Sequence, residues 1–161
     1  MEFGQARAIG ENNLMPVEVR LDTSGLKKLI EEAPRKVDAA VRATAFHVEG
    51  VAKMLGDYEN PTGSNRNSIY TKTSKGKHGL GAINEPDKWL GDILPDANPG
   101  EAYVGPSMEY SARLEFGYYN KTDSLGRTFK QKPRPYLYPA MEGAAAYFAE
   151  AIKILGEKLG M

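Results

Sequence analysis

The sequence predicts an α+β fold in which long N-terminal and C-terminal amphipathic helices pack on one face of a small antiparallel sheet, with long loops. Three observations carry that reading. Apolar residues recur at helical spacing through 37–55 and again through 141–159. Between them lie only short stretches of strand character. Gly and Pro exceed average usage, with 17 and 10 in 161 residues, and gather where no period is sustained. At 17.7 kDa such a chain buries about 70% of its extended surface, enough for a core without metal or disulfide staples.

Residues 1–13 read as a flexible arm and 14–161 as a single domain. Val17, Val19 and Leu21 alternate with charged residues as in a half-buried strand. Thr23 and Ser24 are good N-caps, and Leu26, Leu29 and Ile30 continue a short helix. Pro34 suits a first helical turn, so a second, longer helix is expected to start near it. Val37, Val41, Thr44, Val48, Val51 and Leu55 would form its apolar face, with Asp38, Arg42, Glu49 and Lys53 among the residues around the rest. Glu49 and Lys53 are a favourable i,i+4 pair, and Gly56 with Asn60-Pro61 ends the helix.

Residues 68–73 are compatible with a strand around Ile69 and Tyr70. Residues 75–100 read as a long loop holding a helical turn near Trp89, Leu90 and Ile93. Ala102, Tyr103 and Val104 read as a strand that Gly105-Pro106 stops, residues 110–116 as helix or strand, and 117–134 as a second polar loop. Pro139 is expected to start the last helix, whose stripe is Met141, Ala144, Phe148, Ile152, Leu155 and Leu159. Both long loops carry few apolar groups, so ordering only on assembly is expected of them.

Composition narrows the function classes. With 21 basic and 21 acidic residues the chain has no formal net charge, which disfavours a general polyanion binder. It has no cysteine, so disulfides, thiolate metal sites and thiol catalysis are excluded. No apolar run approaches the roughly 18 residues of a membrane span, and no secretory leader is expected. His47 and His78 lack a zincin spacing and read as ordinary surface or interface histidines. Residues 74–81 resemble a phosphate loop only superficially, and Asp87, Asp92 and Asp96 lack calcium-loop spacing. No cofactor or metal is expected, and the chain reads as non-enzymatic. Tyr110, Phe116, Tyr118, Tyr119, Tyr136 and Tyr138 read as core rim or protein interface rather than base-stacking platforms.

The loop charge falls into blocks. Arg66, Lys72, Lys75 and Lys77 stand without an acid between 65 and 78. Glu85, Asp87, Asp92, Asp96 and Glu101 face only Lys88 between 84 and 101, and Lys121, Arg127, Lys130, Lys132 and Arg134 face only Asp123 between 118 and 135. Such blocks suit neighbouring copies in an assembly, another protein or a polyanion. Within an assembly, the acidic block of one copy is expected to meet Lys121, Arg127, Lys130 and Lys132 of the next.

Three stretches then stand in order: Pro61-Thr62-Gly63-Ser64-Asn65-Arg66-Asn67-Ser68-Ile69 after the long helix, Tyr110-Ser111-Ala112-Arg113-Leu114-Glu115-Phe116-Gly117, and Arg134-Pro135-Tyr136-Leu137-Tyr138-Pro139-Ala140 at the last helix. Together they resemble the tail-completion (head–tail joining, or neck) proteins of tailed bacteriophages, across roughly residues 26–159. Asn65 stands where that family tends to have Leu, and the 75–100 segment is longer than the family pattern. The resemblance implies a structural virion protein, assembled in the host cytoplasm, that forms a hexameric or dodecameric ring at the head–tail junction. Its neighbours would be head-completion, connector, tail-terminator or tail-tube proteins, with passing contact to genomic DNA and none to membrane. Thr62, Gly63, Ser68, Ile69, Tyr110, Glu115, Phe116, Gly117, Arg134, Pro135 and Pro139 would be its scaffold residues. The alternative is a nucleic-acid-binding module using the basic loops.

Overall fold

Helix propagation passes straight through Pro34. In the computed structural model, which describes residues 24–56, 62–122 and 124–157, one helix α1 (Ser24–Leu55) replaces the two expected from sequence. The helix formers on both sides of Pro34 sustain it. The ring is exposed, so the Ile30 carbonyl that loses its intrahelical donor faces water rather than core. The arm at 1–13 and the strand expected at 17–21 lie outside the described residues.

Past α1 the chain makes a short helix α2 (Ser64–Ser68), then strands β1 (Tyr70–Thr73) and β2 (Gly76–His78), a 3₁₀ turn (Pro86–Lys88) and strand β3 (Ala102–Gly105). Helix α3 (Ser111–Phe116) resolves the helix-or-strand ambiguity at 110–116. Strands β4 (Tyr118–Thr122) and β5 (Thr128–Gln131) follow, then helices α4 (Leu137–Glu142) and α5 (Ala144–Glu157). The expected single C-terminal helix is interrupted at Gly143, whose N–H turns back to the Met141 carbonyl. The helical turn in the 75–100 segment falls at Pro86–Lys88, just before Trp89, which instead bridges to Met108.

The sheet is antiparallel with order β2-β1-β3, Tyr70 opposite Gly105 and Thr73 opposite Gly76. Helix α1 lies against β1 and β3, while α5 packs along α1. A sheet whose strands have three or four residues is too small to seat both long helices, so α5 reaches it mainly through α1. Val48, Ala52, Ile69, Tyr136 and Ala140 form the core cluster, with Val51, Val104, Leu114, Leu137 and Ala144 packed around it.

The expected face of α1 holds at Val48 and Val51, with Val41 and Thr44 part-buried, and fails at its two ends. Val37 and Leu55 are exposed, whereas Asp38, Ala40, Ala45, Glu49 and Ala52 are buried. Alanines let α4 and α5 approach, and the two acids are carried inside because each has polar partners on the sheet side. On α5 the expected stripe holds for Ala144, Phe148, Ile152 and Leu155, all part-buried, but Met141 is exposed. Among the described residues, ten buried polar or charged residues stand beside nine buried hydrophobic ones, four of them alanine.

The polar segment at 117–134 is not a loop. β4 and β5 form a hairpin pairing Tyr118 with Gln131 and Thr122 with Thr128, with an irregularity between Tyr119 and Lys121. It has no one-sided apolar alternation because neither strand lies on the core, so period-2 reading passes over it.

Candidate assembly site

The three stretches that carry the family resemblance meet in one buried polar node. Gly63 starts α2 in the left-handed region (φ 66°, ψ 0°), a conformation glycine adopts without a Cβ penalty, and α2 then places Asn65 inside. The Asn65 Oδ1 accepts the Ser111 hydroxyl at 2.7 Å and the Tyr136 hydroxyl at 3.4 Å. Burial raises the Tyr136 phenol above its ordinary pKa. The Ser68 hydroxyl donates to the Asn65 carbonyl at 2.8 Å and accepts the Ser107 N–H at 3.2 Å, carrying the node to the end of β3. Asn65, 1% exposed, is thus held in the interior by hydrogen bonds.

Glu115 is the second half of the node. Only 6% exposed, its carboxylate accepts the N–H groups of Tyr136 at 2.9 Å, Leu137 at 3.1 Å and Tyr138 at 2.8 Å. Those are orphan donors at the start of α4, so Glu115 caps that helix from α3 across twenty-odd residues. Pro139 sits in the same first turn, where its missing N–H costs nothing. Arg134 donates its N–H to the Leu114 carbonyl at 2.7 Å, and Pro135 follows in the strap that delivers Tyr136. Gly117 has φ 76° and ψ 177°; a Cβ there would lie 2.8 Å from the Gln131 carbonyl oxygen. That glycine lets the hairpin root beside α3. Phe116, next to it, is 76% exposed.

The acidic segment 85–96 is tied down within the chain, contrary to the expectation that it waits for a neighbour. The buried Tyr70 hydroxyl accepts the N–H groups of Ile93 at 2.9 Å and Leu94 at 2.8 Å and donates to Asp92 at 2.9 Å. Lys72 reaches Asp96 at 2.7 Å and Asp92 at 3.3 Å, and Lys77 reaches Asp92 at 3.1 Å. The Lys77 ammonium, then Tyr70 and Lys72, hold the Asp92 carboxyl below its ordinary pKa, while Asp96 and then Asp92 raise the Lys72 amine. Glu85 binds Lys88 at 2.6 Å, the Thr62 hydroxyl at 2.8 Å and the Tyr110 hydroxyl at 2.9 Å, which lower it to about 2. Lys72 and Lys77 of the first basic block therefore pair with Asp92 and Asp96 of their own chain. Lys75 lies at the exposed β1–β2 turn and Asp87 in the exposed 3₁₀ turn.

Sequence periodicity missed two acids that fix the sheet to α1. Glu49, 4% exposed, accepts Thr71 at 2.7 Å, His78 Nδ1 at 3.0 Å and Lys53 at 2.9 Å. Burial works against its charge, but these bonds outweigh burial and leave its pKa lowered. Asp38 accepts the Gly100 N–H and the Ser74 hydroxyl, each at 2.9 Å, and pairs with Arg42 at 3.2 Å. The Gly100 N–H is the foremost cause of its lowered pKa. The i,i+4 partners Lys53 and Arg42 were the available signal; that both acids face inward was not. Both histidines are engaged within the chain, His47 stacked on Tyr147 at 4.1 Å and His78 on Glu49.

The outward surface includes large apolar residues and a basic hairpin. Among the described residues, sixteen large hydrophobics are exposed, including Met54, Phe116, Leu125, Tyr138 and Met141 at 55–76%. The β4–β5 hairpin packs chiefly on itself, with Arg113 set over the Tyr118 ring at 4.9 Å at its base. It carries Lys121 on β4 and Lys130 on β5, with Arg127 in the connecting turn and Lys132 just after β5. No group of three or more metal-ligating side chains occurs among the described residues, and no helix among them is long and apolar enough to cross a membrane. No protein-family model, curated protein or solved structure matches the chain.

Proposed function

We propose that this chain is a structural virion protein of a tailed bacteriophage, one subunit of a ring at the head–tail junction that joins the DNA-filled head to the tail. The observation that carries the reading is the convergence of the three resembling stretches. Positions 65, 111, 115 and 136, far apart in sequence, close on one another through buried hydrogen bonds. Motifs that share a family's order and also build one structural unit support a common scaffold better than scattered matches do. The outward apolar residues and the basic hairpin support docking to other proteins rather than catalysis. Its partners on this reading are further copies of itself and the proteins of the head and tail ends.

Deleting the coding sequence from the phage that carries it tests the proposal. Filled heads and separate tails are expected, with joining restored by the purified protein. Normally tailed particles would overturn it. The second reading, a nucleic-acid-binding module, draws on the same hairpin. It predicts binding to free DNA that weakens steeply with salt, with no effect on tail joining.

A further inference from the structure

Two surfaces of this chain are complementary to each other and not engaged with each other. The first is the hairpin tip, where Leu125 is 74% exposed. Below it the strands supply Lys121 from β4 and Lys130 from β5, with Lys132 just past β5. Rooted at α3 by Gly117, the hairpin makes no substantial contact with α1 or α5 of its own chain. The second is an apolar groove of about 280 Å³ between α1 and α5. It exists because both helices present small residues to the seam, Ala39 and Ala43 on α1 and Ala151 on α5, leaving space that Ile154 and Leu155 only border.

One acid, Glu150, lines the groove. Glu157, seven residues further on, and Glu32, seven before Ala39, fall on the same sides of their helices. No ion pair of Glu150 or Glu157 occurs among the described residues. Lys36, the basic residue on that side of α1, already donates to the Leu155 carbonyl at 3.1 Å. The acidic segment 85–96 is a poorer acceptor for a basic ribbon, since Lys72, Lys77 and Lys88 already pair with Asp92, Asp96 and Glu85.

We propose that the hairpin tip of one copy seats in the α1–α5 groove of the next, Leu125 in the apolar slot and the basic strands along Glu32, Glu150 and Glu157. The inference rests on the ring reading above and supplies its repeating contact. Tip and groove are different surfaces, so the contact is head-to-tail, the kind that closes into a ring or propagates as a filament.

The absence of native cysteine makes the test direct. Leu125→Cys and Ala43→Cys are made separately in the full chain, mixed and oxidised. A covalent dimer linked 125 to 43 is expected from the mixture and from neither variant alone, and the double variant should give a ladder ending in a closed species. In a second arm, Leu125→Asp and Glu150→Lys should each weaken self-association by about tenfold or more with unchanged circular dichroism. Glu150→Lys combined with Lys130→Glu should recover part of it.

Assembly without the 125–43 link overturns the contact and leaves the ring. A 125–125 link, from a symmetric interface, overturns it too. An intrachain link from Val17→Cys to Ala43→Cys would make the groove's occupant the chain's own preceding segment, and the contact would fall with it. Loss of DNA retention on hairpin charge reversal, with self-association unchanged, would assign the ribbon to nucleic acid and also overturn it. An open-ended ladder supports the contact while counting against the ring, and a chain monomeric at every concentration overturns both.

Discussion

Glu115 organises more of this molecule than any apolar residue. One carboxylate satisfies three N–H groups at the start of α4, and nothing else among the described contacts replaces it. Glu115→Ala removes those acceptors from a buried site and should cost about 3 kcal/mol, seen as a Tm lower by about 10 °C. An unchanged Tm would mean the cap is dispensable. Val48, 2% exposed, gives a harsher test: Val48→Asp places an unpaired charge in the core, and loss of the folded circular dichroism signal is expected. Titration adds a third. Glu85 is lowered from 4.5 to about 2, so its bonds to Lys88, Thr62 and Tyr110 contribute fully above pH 4.5 and are lost as pH falls toward 2. Asp38, Glu49 and Asp92 are shifted the same way. Stability should therefore hold steady above about pH 5 and decline below it, with a shallower acid limb in Glu85→Gln, as acid denaturation curves would read.

At the scale of elements, the long helices, β3 and the glycine turns were legible because each leaves a local mark: a 3.6-residue stripe, a Tyr-Val pair before Gly-Pro, or a glycine where the chain must turn. The three resembling stretches were legible as turns and caps. Their mutual bonding was not, because no local pattern tells which distant N–H groups a glutamate will meet. The hairpin was invisible for the opposite reason. Its strands lie off the core, so they carry polar residues on both faces and lack alternation. The 75–100 segment misled through composition: Gly and Pro read as mobility, whereas one buried tyrosine, Tyr70, binds two of its backbone N–H groups. Hydrogen exchange on the monomer should accordingly find Ile93 and Leu94 protected. Tyr70→Phe should abolish that protection while sparing the β1–β3 ladder. Fast exchange of both amides in the unaltered protein would mean the segment orders only on assembly.

For the whole molecule, charge divides into a satisfied part and a displayed part. Asp92 and Asp96 are paired with Lys72 and Lys77, so charge reversal at Asp92 or Asp96 should disturb the fold of that face rather than association. Reversal of Lys130 and Lys132 together should leave the melting curve in place and lower assembly, measured by sedimentation at two salt concentrations. Equal effects from both blocks would contradict the division. Higher salt should weaken assembly only modestly if Leu125 carries the contact, since exposed ion pairs contribute about 0–1 kcal/mol each.

The polar interior has a thermal consequence. Exposing apolar surface raises the heat capacity of a chain and exposing polar surface lowers it. Among the described residues, the buried groups that unfolding would uncover are asparagine, serine, threonine, carboxylates and four alanines, with five larger apolar or aromatic side chains. The heat-capacity increment on unfolding should fall below the ~12–15 cal/mol/K per residue of ordinary globular domains. A small increment flattens the dependence of stability on temperature, so the protomer should lose little on cooling and soften gradually on warming. Scanning calorimetry across a pH series gives that increment directly.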